Sequence, residues 1–115
     1  MYSGLLIKES LCDEHILDCV EIKNVEIWAT DNIPKYWTAI SFESKDEEFP
    51  KKLSKALNDD YEMLWYVDME YNGIKYIVLK DNVLKYRIGD FTEREAVMNK
   101  CRELGIPQQQ LDWSE

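Results

Sequence analysis

The chain has 115 residues, of which 45% are hydrophobic and 12% aromatic. That reads as a single domain over residues 1–115, able to bury roughly two-thirds of its unfolded surface, and it excludes a disordered chain. Asp and Glu outnumber Lys and Arg by 23 to 14, a formal net charge of −9, which argues against nucleic acid and anionic membrane surfaces as partners and for solubility, a basic protein partner or a cationic ligand.

The N-terminus, "MYSGLLIKES", has a short apolar run without a basic flank or a cleavage-like site, and no stretch approaches the roughly 20 apolar residues that span a bilayer. The chain starts at Met1 without a recognisable tag, which fits a complete small protein. Residues 4–8 predict a first strand. Asp13 is placed to cap a helical turn over 14–18. From Val20 a strand is expected whose apolar phase slips, since Val20 and Ile22 share a face with Val25 and Ile27 only if a bulge falls at Lys23–Asn24. "DNIP" at 31–34 signals a turn, and residues 36–44 predict a strand with Tyr36, Thr38, Ile40 and Phe42 on one face.

Phe49, Leu53, Ala56 and Leu57 recur at helical spacing. Asp46 is the expected cap of this first helix, with Pro50 in its first turn and "NDD" at 58–60 ending it. Strands near 62–80 then form a hairpin through Asn72-Gly73, a type I′ signal that opposes Tyr71 with Ile74, Glu70 with Lys75 and Val67 with Val78. A three-residue loop at 81–83 is expected next, putting Leu84, Tyr86 and Ile88 on the same core face as Val67, Met69, Tyr76 and Val78. A second helix follows, with a Thr92–Glu95 capping box, a Phe91–Ala96 staple, Val97, Cys101 and Leu104 along its buried stripe, and Gly105 with Pro107 as its stop. Leu111 and Trp113 of the tail are expected to return to the core. Strand–strand–helix thus occurs twice, without a visible sequence repeat.

The expected fold is α+β, an antiparallel sheet of five to six strands with two helices packed on one face, in the order β-β-β-α-β-β-β-α. Helices on one face leave the other open. Leu64, Tyr66, Asp68, Ile77 and Leu79 would then form an apolar patch with an acid in it, rimmed by Glu70, Lys75, Lys85 and Arg87, and this is the candidate interface.

Three scattered Cys do not make a disulfide framework and fit a reduced, cytoplasmic compartment. Cys12, His15 and Cys19, with Cys101 as a fourth, are soft ligands suited to zinc, but their spacing matches no strong template and small core or surface roles explain them better. A Cys–His nucleophile pair would need the same residues in reach of each other. Asp68 is the acid whose placement among apolar neighbours best suits acid–base work, set against the plainer reading of a solvated surface acid. The four Gly are scattered, so no phosphate loop exists and no cofactor is expected; GxSxG, HExxH and Walker patterns are also missing. These features favour a non-enzymatic protein-interaction module that self-associates as a homodimer or binds a partner in the manner of an inhibitor or immunity protein. The alternative is a small-molecule binder or enzyme with a pocket lined by Trp28, Trp37 or Trp65 between sheet and helices.

Overall fold

The computed structural model describes residues 1–31, 35–58 and 65–106. Its elements run β1 (Tyr2–Ile7), two 3-10 turns (Lys8–Ser10 and Glu14–Cys19), β2 (Glu21–Ala29), β3 (Tyr36–Ser44), α1 (Phe49–Ala56), β4 (Tyr66–Tyr71), β5 (Ile74–Leu79), β6 (Asn82–Arg87) and α2 (Phe91–Glu103). The six strands form one antiparallel sheet in the order β2-β3-β1-β4-β5-β6. The α+β class and the β-β-β-α-β-β-β-α order are those expected from the sequence.

Local chemistry accounts for most of the elements. Asp13 caps its short turn by accepting from the His15 amide at 3.0 Å. Ile22 pairs with Phe42 and Asn24 with Ser41, so Lys23 is the extra residue of a bulge. The bulge restores the phase and keeps Ile22, Val25 and Ile27 on one face. Asn72 and Gly73 both take positive φ, as a type I′ turn requires, and fix the β4–β5 register with Tyr71 opposite Ile74. Pro50 sits in the first turn of α1, where its missing N–H costs little. Asp46 is not the cap of α1. It lies two residues before the N-cap Glu48, accepts from the Glu48 amide and pairs with Lys52 at 2.6 Å.

The sheet is assembled at one close approach. Gly4 lies opposite Met69 where β1 meets β4. A Cβ there would stand 2.7 Å from the Asp68 carbonyl oxygen and 2.9 Å from the Met69 Cβ. Glycine is what lets the two halves of the sheet join.

The two faces carry separate cores. On one, Leu6, Ile40, Phe42, Val67, Met69 and Val78 pack under α1 through Phe49, Leu53, Ala56 and Leu57. On the other, Ile77, Leu79 and Tyr86 pack under α2 through Val97, Met98 and Cys101, closed by Ile106. Neighbouring residues of β5 therefore enter opposite cores, and the expectation that both helices share a face does not hold. The cause is the turn after β5. Its residues are Lys80 and Asp81, and Leu79 pairs with Asn82, so the three-residue loop at 81–83 is corrected. Asp81 adopts φ 58, a left-handed conformation that a short polar side chain tolerates. Leu84 then opposes Ile77 and Tyr86 opposes Lys75. A one-residue change of register moves a whole strand to the other face, and α2 follows β6 there.

The start of α2 also differs from expectation. Asp90 is the N-cap and accepts from the Glu93 amide at 3.0 Å. Thr92 falls inside the helix, Phe91 is 76% exposed and Ala96 is exposed, so the capping box and staple do not form. Leu104 is exposed rather than buried. Gly105 takes φ 98 and ends the helix as expected. Residues 32–34 of the predicted turn, Asp59–Asp60, Pro107, Leu111 and Trp113 lie outside the described residues.

Candidate interaction edge

The patch expected to be open is closed. Ile77 and Leu79 are 0% and 2% exposed beneath α2, and Tyr66 is half-buried beside them. Leu64 lies outside the described residues. Lys85 and Arg87 point to the α1 side, opposite Tyr76 and Ile74, and do not rim that face. Asp68 stands half-buried opposite Ile77, at a shallow cleft of about 550 Å³ that it shares with Ser3, Ser41, Glu43 and Lys75. Lys75 is 7% exposed, and its ammonium lies 3.4 Å from the Asp68 carboxylate and not on its cross-strand neighbour Glu70. The pair neutralises the buried lysine inside the fold.

The soft ligands are not gathered. The Cys12 thiol donates to the Leu57 carbonyl, the His15 side chain is 92% exposed, and Cys101 is buried in the α2 core on the far face. Burial pushes the Cys101 thiol above its ordinary pKa. Among the described residues, no three His, Cys, Asp or Glu side chains are grouped so as to hold a metal ion. Trp28, Trp37 and Trp65 form a row. Trp28 opposes Trp37 across β2 and β3, and the rings of Trp37 and Trp65 are 5.0 Å apart.

What stands open is an edge of the sheet. β2 is the end strand, and all nine of its residues are exposed. Val25 and Ile27 are 52% and 65% exposed on the α1 side, with Trp28 exposed on the other side. The Trp28 indole N–H donates to Glu26 at 3.1 Å. Apolar side chains on both faces of an edge strand are the condition most protein edges avoid.

The backbone direction follows from the ladder. The Thr30 amide donates to the Lys35 carbonyl at 2.7 Å. Bonded pairs alternate in an antiparallel ladder, so Trp28 and Glu26 are also bonded to β3, while Val25, Ile27 and Ala29 turn their N–H and C=O groups outward. The partner of Ile27 confirms this phase: the Thr38 amide faces away from β2 and is bound by the Glu9 carboxylate. The opposite edge is treated differently. There β6 carries exposed Lys85 and Arg87, and the Arg87 amide donates to the Glu93 side chain at 3.2 Å. Charge and a helix side chain blunt β6 and leave β2 as the open template.

The sequence carried one signal of this edge. In "VEIW", residues 25–28, apolar residues occupy both phases of a strand, which a half-buried strand does not need. Which strand would lie at the end of the sheet was not readable. Comparison of the chain with protein-family models, with curated proteins and with solved structures returns no match.

Proposed function

We propose that this chain is a small, non-enzymatic interaction module that lends its β2 edge to a strand of another chain. The observation that carries this is the outward row of backbone groups at Val25, Ile27 and Ala29, flanked by exposed Val25, Ile27 and Trp28 side chains. In strand addition, backbone bonds supply affinity and alternate side chains supply selectivity. Free thiols at Cys12, Cys19 and Cys101 fit work in a reduced compartment, the cytoplasm. Among the described residues, no helix is long and apolar enough to cross a membrane.

Ile27→Lys tests the reading. It adds a charge to the edge at a position already exposed, so the fold is expected to survive it. Immobilised wild-type and Ile27→Lys proteins are each incubated with cell extract and with free wild-type chain. The module reading expects at least one chain held by wild type and lost from the variant. Equal capture by both forms overturns it.

A further inference from the structure

We infer that the strand β2 receives is β2 of a second copy, paired antiparallel about a two-fold axis at Ile27. This rests on the strand-addition reading and names its partner. The reasoning is one of register. Outward groups can pair only with outward groups, so Val25, Ile27 and Ala29 must face members of the same set. Centring the axis on Glu26 opposes Glu26 with its own copy on one face and draws the Lys23 bulge into the paired segment. Like charges opposed on a sheet are unfavourable, and a bulge leaves its extra residue unpaired. Centring it on Trp28 leaves only Ile27–Ala29 of β2 paired. Centring it on Ile27 pairs Val25–Ala29 in full and ends the seam before the bulge.

That register is also self-complementary in chemistry. Ile27 meets Ile27, and the larger Val25 meets the smaller Ala29. Glu26 faces Trp28 of the second copy, so the acceptor and indole donor that bond within one chain at 3.1 Å also stand across the seam. The net charge of −9 does not forbid the contact. Charged side chains on β2 are Glu21, Lys23 and Glu26, and Glu21 is paired with Lys23 at 2.7 Å. Charges beyond about 8 Å are largely screened at physiological salt. An isologous contact of this kind closes on itself and continues the six-stranded sheet into its copy.

The test uses the intact chain over a range of concentrations. Light scattering reads its mass, and amide hydrogen exchange is followed by NMR. Self-pairing expects the mass to double on concentration. The amides of Val25, Ile27 and Ala29 should slow by about tenfold or more in step with it, as newly bonded amides do, and Ile27→Lys should stay monomeric with the denaturation midpoint of the dilute, monomeric wild type. A monomer at every concentration overturns the proposal. So does a dimer whose Val25, Ile27 and Ala29 amides exchange as fast as in the monomer, or one that Ile27→Lys leaves intact. Failure here is separable from failure of the module reading. A monomer that still loses a foreign chain on Ile27→Lys overturns self-pairing alone, whereas capture indifferent to Ile27→Lys overturns strand addition itself.

Discussion

The Glu9 carboxylate accepts from both the backbone amide and the hydroxyl of Thr38, a residue 29 positions further along the chain, with the hydroxyl contact at 3.0 Å. This ties the 3-10 turn after β1 to β3, next to the open β2 strand. Burial, the largest single influence, would raise the Glu9 pKa, but the two Thr38 bonds together with the Glu9 backbone amide and the Lys8 charge hold the carboxyl below the usual Glu value.

A pH-dependent contribution to stability follows. Because the folded pKa is depressed, the contribution is fully present above the unfolded Glu pKa and is lost as pH falls through the folded value. Glu9→Ala should cost about 1.5–3 kcal/mol near pH 7, the range for hydrogen bonds to a charged group. Glu9→Gln, which keeps an acceptor, should cost less. Urea denaturation at pH 7 and near pH 3 checks this. The gap between wild type and Glu9→Gln should shrink at the lower pH, and a constant gap would show that the charge does not matter.

The α2 core makes a second prediction. Ile77 is fully buried between the sheet and α2, so Ile77→Ala should destabilise the fold by about 2–5 kcal/mol through lost burial and a residual cavity. Replacing Tyr66 by Glu together with Leu79 by Lys should unfold this part of the chain, since Leu79 is 2% exposed. Equilibrium denaturation measures both. A change under about 0.5 kcal/mol for Ile77→Ala, the range of ordinary surface sites, would mean that α2 does not seat on this face.

The start of α2 supplies a third. Asp90→Ala should cost about 1 kcal/mol, the usual worth of an N-cap side chain, because the Glu93 amide loses its acceptor. Thr92→Ala and Phe91→Ser should each stay within about 0.5 kcal/mol, as exposed substitutions do. A larger loss at Thr92 than at Asp90 would restore the capping box read from the sequence.

Elements with a local cause were legible in the sequence. Asn72-Gly73 needs positive φ at both positions, and that fixed the β4–β5 register. Ile22, Val25 and Ile27 keep one face only across a bulge, and the bulge is at Lys23. Gly105 ends α2 because its backbone is left-handed. In each case the residues that set the conformation are neighbours in the chain, so the sequence by itself determined the α+β class, the order of elements and the pairing of β4 with β5. Only the tertiary structure decided which residues would be exposed. Whether Lys80–Asp81 or residues 81–83 form the turn after β5 is a small local difference, yet it decides whether Leu84 and Tyr86 face α1 or α2, and with them where α2 docks. That choice buried Ile77 and Leu79. The strand order put β2 at the end of the sheet and left Val25, Ile27 and Trp28 open. Exposure is set by the non-local stacking of strands and helices, and a strand carries the same residues whether it lies at the centre of a sheet or at its edge.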